Sequence, residues 1–413
     1  MTTADSTPSV SSRKVRHWRW VVMALVLILS ACAWGGFRGQ LKIWDRACRT
    51  SRANKQWVDL EITARRWSFW APSSAEPWLF LADAVQHQER YLEAAEYLRR
   101  VPPEQPQYLP ALVARSKLLF GPANLPFEGE RCCLEILERM PRVATAHELL
   151  IDFYTVTMQR IKLREKIQAA IRLNQEPRDA YVYYFLIDSV RFNDGAPLNK
   201  LWLDSYPDHE ILMVAEVLQT DDVLRNEPPT PDTTTALTEK EQAARNLLTR
   251  FPRNVNLLAY LIEEEMAKGQ LDHVIELLAE APIEAEADQR FWRFKGWVHT
   301  AHSEHDQAEQ AYRHAITMHP MDWLTMHRLA ETLRVRGDLA EVARLENLVK
   351  RAHDIRARIR DLGSFKNVPL ELLRDIGRLA HDCGDSLIAE ALTKHLGTLD
   401  PQPNNSPRPS RGK

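Results

Sequence analysis

The side chains with the clearest potential for chemistry are a run of histidines. His299 and His302 stand three residues apart, with His305, Asp306, His314 and His319 following. Residues three apart share one face of a helix, so His299 and His302 could offer two nitrogens to a single metal ion. A metal-dependent role through that pair is therefore one reading. The other is that His299 packs between helices and that His305 and Asp306 lie in a turn. No further chemistry is legible. The chain has no G-x-x-x-x-G-K, G-x-G-x-x-G or G-x-S-x-G. His147-Glu148 lacks the second histidine of H-E-x-x-H, and C-x-x-C-H is missing, which excludes covalent haem. Cys32, Cys48, Cys132, Cys133 and Cys383 have neither zinc spacing nor the even count of a disulfide framework. Cys133, on an inward helix position, reads as a buried thiol. No cofactor is expected, and no stretch is left over for a catalytic domain, so the chain reads as a non-enzyme.

The elements that must position these residues are helices. Trp292, Gly296, Ala308, Tyr312, Ala315 and Pro320 are separated as in W-x2-L-G-x2-Y…A-x3-F…P. The same template fits Trp78, Leu81, Ala82, Ala94, Leu98 and Pro106, and again Leu373, Gly377, Gly384, Asp385, Ala389 and Pro401. On these residues the chain resembles the tetratricopeptide-repeat family, whose unit of ~34 residues is a pair of antiparallel helices. Small residues such as Ala82, Ala94, Gly296 and Ala308 would let backbones approach, and Trp78, Trp292 and Tyr312 would fill the space between units. Proline ends the second helix. Gly337-Asp338, Gly384-Asp385 and Lys268-Gly269-Gln270 mark turns between paired helices. The fold expected is all-α: a TPR-type superhelix, a solenoid of antiparallel helix pairs, behind one N-terminal hydrophobic segment. A length of 413 residues suits a repeat array, which grows without a single centre.

The resemblance also implies a ligand groove, lined by first-helix residues at the second, fifth, ninth and twelfth places of each unit. In the C-terminal units these include Arg290, Arg293, Trp297, His327, Glu331, Arg334, Arg374 and Arg378. Exposed arginines there would suit an acidic peptide or a C-terminal carboxylate. In the second unit the corresponding set, Glu76, Leu79, Asp83 and Gln86, is acidic. Lys350, Arg351, His353, Arg356, Arg358 and Arg360 form a basic stretch, offset by Glu346, Asp354 and Asp361. A formal net charge of −2 argues against nucleic acid as a partner.

Residues 1–19 are expected to be a disordered, basic N-terminus, with Arg13, Lys14, Arg16 and Arg19 ahead of an uncharged stretch at 20–37. That stretch is about as long as a short membrane span. Trp18, Trp20, Trp34 and Phe37 would suit interfacial belts. Leu29-Ser30-Ala31-Cys32 also matches the bacterial lipobox, which would make Cys32 a lipidation site; a plain secretory signal has the same layout. The expectation is a single-pass anchor with the repeats on the outer, periplasmic side. An N-terminal array at 41–219, a Pro/Thr-rich loop at 220–238 acting as a hinge, a C-terminal array at 239–402 and a disordered tail at 403–413 follow. The function this supports is a membrane-tethered scaffold for protein or peptide partners. A lipoprotein component of an envelope assembly machine is the alternative.

Overall fold

The computed structural model describes residues 38–189, 195–219 and 231–399, together with Trp18, Val22, Met23 and Leu25. Nearly all of the anchor stretch at 20–37, Cys32, residues 220–230 and the tail at 403–413 lie outside the described residues. Among the described residues there is no strand, and no helix is long and apolar enough to cross a membrane. The chain divides into two compact units, residues 1–123 and 124–413.

In the first unit a helical stretch over residues 38–53 is followed by α1 (Trp57–Trp70), α2 (Ala75–Gln86), α3 (Tyr91–Arg99) and α4 (Tyr108–Phe120). The second unit begins with α5 (Pro126–Arg139), α6 (Ala144–Val156), α7 (Arg160–Leu173), α8 (Ala180–Phe185), α9 (Gly195–Leu203) and α10 (Glu210–Gln219). It continues with α11 (Pro231–Arg250), α12 (Val255–Ala267), α13 (Leu271–Ala279), α14 (Gln289–Ala301) and α15 (His305–Met318). It ends with α16 (Trp323–Arg336), α17 (Leu339–Arg360), α18 (Leu370–Cys383) and α19 (Ser386–Leu399). Consecutive helices pack together as pairs, most extensively α14 with α15 and α16 with α17.

The repeat is written most plainly in the turns. A residue with positive φ stands between paired helices at Lys55, Glu89, Asn124 and Met158, then at Gly269, Ser303 and Gly337. Within each run the interval is about 34 residues, the length of the repeat. Only Gly269, Gly337 and Gly384 announce such a turn in the sequence. At Lys55, Glu89, Asn124, Met158 and Ser303 a side chain is carried into the left-handed region, where it costs roughly 1–2 kcal/mol. The hydrogen bonds repeat as well: Gln56 N–H donates to Ser51 O, Arg90 N–H to Val85 O and Glu304 N–H to His299 O.

The close approach predicted inside each pair is present. A Cβ added to Gly296 would lie 2.5 Å from Cε1 of Tyr312, and Ala308 and Ala315 are fully buried beside that ring. In the first unit Ala82, Ala94, Ala95 and Leu98 are buried, and the Trp78 indole N–H donates to Pro72 O at 2.9 Å. The predicted long helix at 338–362 is α17.

Two expectations are corrected. The proline- and threonine-rich segment is helical from Pro231 onward, rather than from residue 239. Proline is well placed there, because the first turn of a helix has no use for its missing N–H. The chain also does not divide near residue 230: α10 and α11 pack against each other, and Lys240 Nζ donates to Leu218 O at 3.1 Å. The division falls instead at the turn after Gly121.

Candidate functional site

The groove residues expected on α14 are not exposed. Arg290 is 2% and Arg293 4% accessible. Asp288 and Asp322 occupy the N-cap positions of α14 and α16, accepting from Arg290 N and Thr325 N respectively, and so lie beside these arginines. Arg290 closes on Asp288 through Nη2 at 2.6 Å, and the same nitrogen also donates to Asn256 Oδ1 at 3.1 Å. Arg293 donates to Asp322 Oδ2 and to Asp188 Oδ2, both at 2.9 Å, and reaches Glu263 at 3.4 Å. Asp188 comes from the turn after α8, a hundred residues earlier. Burial would push its carboxyl up, but Arg293 and then Arg290 hold it down at about 2. The same carboxylates outweigh the burial of Arg293 and secure its charge.

The face of α14 that carries Arg290 and Arg293 is thus occupied by the chain's own earlier repeats. Every residue of α8 is buried, including Tyr181, Tyr183, Tyr184 and Phe185. Tyr184 donates to Asp385 Oδ2 at 3.0 Å and meets the His319 ring edge-on at 5.0 Å. From α7, Arg160 donates to Asn256 and to the carbonyls of Ile187 and Asp188. Arg164 donates to Gln289 Oε1 and Ala287 O, both at 2.8 Å. Lys366 reaches Asp179 at 3.0 Å, and His395 reaches Glu176 at 2.8 Å. His319, 2% accessible, leaves Nδ1 without a hydrogen-bond partner, and burial lowers its pKa. None of the α7–α8 residues carried a signal of this role in the sequence, because their contacts with the later repeats span 96 residues or more.

The remaining predicted groove residues are distributed differently. Trp297 packs against the core formed by Leu258, Ile262, Phe291 and Phe294. His327 is exposed beside Glu331, and Arg334 pairs with Glu346. Arg374 and Arg378 do line an open space, a cleft of about 820 Å³ bounded by α17, α18 and α19. Four guanidinium groups surround it, Arg351 and Arg358 joining Arg374 and Arg378, against the carboxylates of Asp354, Asp375 and Asp382. Its floor is apolar, with Ile355, Ala389, Leu392 and Leu396. Arg351 binds Asp382 at 2.6 Å, Arg378 binds Asp375 at 3.1 Å, and Arg358 also pairs with Asp375. The sequence pointed to both halves of this cleft separately, as groove positions on α18 and as the basic stretch of α17.

In the first unit the predicted acidic set does come together. Glu76, Leu79, Asp83 and Gln86 line a cleft of about 380 Å³ with Arg49 and Arg52, and Arg52 binds Asp83 at 2.7 Å.

Nδ1 of His299 is 2.6 Å from Glu304 Oε2, and His302 caps the end of α14. Among the described residues no group of three or more His, Cys, Asp or Glu side chains is placed to hold a metal ion. Cys48, Cys132 and Cys133 are buried, and burial pushes the Cys48 thiol up to about 12.

No family model matches the chain, and no curated protein matches it. Among solved structures it is similar to a tetratricopeptide repeat protein from Parabacteroides merdae, at 14% identity over 63% of this chain and 98% of that one, with a TM-score of 0.30. It is similar to the human IFIT1 dimer with PPP-AAAA, at 14% identity over 88% and 91% of the two chains, with a TM-score of 0.33. It is similar also to yeast Tom70, at 13% identity over 88% and 90%, with a TM-score of 0.28. The helix pairs, the close approach of Gly296 to Tyr312 and the turn interval of about 34 residues make this chain an all-α protein of tetratricopeptide-type repeats.

Proposed function

We propose that this chain is a non-catalytic scaffold, tethered to a membrane through residues 20–37, that receives an acidic segment of a protein partner in the α17–α19 cleft. The observation that carries the reading is the cleft itself: arginines on two walls, an apolar floor and an open mouth. Guanidinium forks take carboxylates bidentately, and an incoming carboxylate can replace Asp375 or Asp382 as their partner. Apolar side chains of the same segment would cover Leu392 and Leu396. The buried arginines Arg290 and Arg293 are engaged by Asp288, Asp188 and Asp322 and take no part. The basic cluster before residue 20 supports placing the repeats on the outer, periplasmic side.

The test is binding of a glutamate-rich peptide with a free C-terminus to the full chain and to a variant carrying Arg374→Glu and Arg378→Glu. The affinity for the unmodified chain should fall as salt rises. The variant should bind several-fold more weakly, with unchanged helicity. Equal affinity of the two proteins would remove the cleft as the site.

A further inference from the structure

We propose that the Phe69–Trp70 end of the outward face of α1 is a membrane-contact surface, seated in the headgroup layer of an anionic phospholipid bilayer. The proposal rests on the tether reading above and extends it from the anchor to the folded repeats.

The face is apolar where a solvated helix should be polar. Phe69 is 77% exposed, Val58 61%, Trp70 60% and Ile62 48%. Val58, Ile62 and Phe69 fall on one stripe at helical spacing, and the Trp70 ring meets Phe69 edge-on at 5.5 Å. Together with Arg65 and Arg66 they bound a shallow hollow of about 540 Å³ on the outside of α1. A contiguous exposed apolar patch rimmed by cations marks an interaction surface rather than ordinary scatter.

Its position argues for lipid. The helical stretch that begins at residue 38 follows directly in sequence on the apolar stretch that ends at Phe37. Lys55, with φ of 56°, makes the same turn after residues 38–53 that Glu89 makes between the packed helices α2 and α3. The chain therefore doubles back, and the far end of α1, carrying Phe69 and Trp70, returns level with the residues that leave the apolar stretch. An anchor in the bilayer brings that end to the interface. Tryptophan is enriched at that depth, phenylalanine is a usual apolar-face residue of interfacial helices, and arginine stems bury while their heads meet phosphate.

Charge agrees. The stretch at 38–53 holds Arg38, Lys42, Arg46, Arg49 and Arg52 against Asp45 alone. On α1 the carboxylate of Glu61 is already engaged by Arg65 and Arg90, and Asp59 stands at the opposite end from Phe69. Basic residues held near an anionic surface are drawn to it electrostatically.

The experiment places an environment-sensitive dye on the full chain at Phe69→Cys and, separately, at Leu92→Cys. Leu92 is 58% exposed on α3 and serves as the control. The dye-treated unmodified chain supplies the background from its own cysteines. Vesicles of phosphatidylcholine are compared with vesicles that also contain phosphatidylglycerol, each with and without brominated lipid as quencher. The expected result is a blue-shifted emission at position 69, quenched several-fold more by brominated lipid than at position 92, and stronger with phosphatidylglycerol. A chain that floats with the vesicles while the dye at 69 stays water-like overturns the contact surface and leaves the tether standing. A chain that does not float overturns both. A shift at 69 that follows protein concentration and ignores lipid assigns the face to a second copy and overturns the proposal.

Discussion

Arg293 and Asp188 stand 105 positions apart in the chain, yet a guanidinium nitrogen of the first lies 2.9 Å from a carboxylate oxygen of the second. The pair joins the turn after α8 to the first helix of a repeat far downstream. It explains why the basic face of α14 is closed: the acidic ligand that such a face would select is supplied by the chain itself.

Removing one member of this pair should be costly. Arg293→Met leaves Asp188 and Asp322 buried without their cation, and breaking a buried pair from one side costs about 3–5 kcal/mol. Arg334→Met, at a half-exposed guanidinium paired with Glu346, should change stability by less than about 1 kcal/mol. Thermal unfolding followed by circular dichroism compares the two. Similar melting temperatures for both variants would mean that the α8 turn is not held through Arg293.

Gly296 permits the approach of α15 to α14. A methyl group at position 296 would collide with the Tyr312 ring at 2.5 Å, so Gly296→Ala should destabilise by about 1–3 kcal/mol. Combining it with Tyr312→Leu should cost less than the sum of the two single changes, because both act on one contact. Strict additivity in a double-mutant cycle would count against the packing.

Acid should loosen the inner face of the second unit through Asp188. Its carboxyl is held at about 2 in the folded chain, below the ordinary value of about 3.9. A lowered folded pKa gives stability that is complete above the unfolded value and lost as pH falls from about 4 towards 2. Asp188→Asn, although less stable throughout, should lose stability less steeply across that window. An equal slope for both proteins would assign the acid sensitivity elsewhere.

His319 acts at higher pH with the same sign. Burial lowers its pKa, with the carboxylates of Asp322, Asp188 and Asp385 opposing the shift and Arg164 adding to it. The unfolded chain takes up the proton first, so stability should decline as pH drops below about 6.5. His319→Gln should flatten the profile below about pH 6.5, read by denaturant unfolding at a series of pH values. A profile that keeps its slope would show that His319 is not the group that titrates.

What the sequence determined by itself is the repeat: two helices per unit, small residues where backbones meet, and the close packing of Gly296, Ala308 and Tyr312. Those features are local, repeated every ~34 residues, and set by sterics that neighbouring residues impose on one another. The turn glycines were legible for the same reason, whereas Lys55, Glu89, Met158 and Ser303 were not, since nothing in a lysine or a methionine announces positive φ. Which arginines remain open was decided only by tertiary structure. Arg293 and Arg374 stand at the same place in their repeats, three residues before Gly296 and Gly377, and with Arg290 and Arg378 they look alike in sequence as groove positions. Arg290 and Arg293 are buried under α7 and α8 because Asp188, Asn256 and Gln289 meet there from distant parts of the chain, while Arg374 and Arg378 line an open cleft. Periodicity places a residue on a helix face; whether that face is covered depends on how remote repeats fold over one another, and no short-range pattern carries that information.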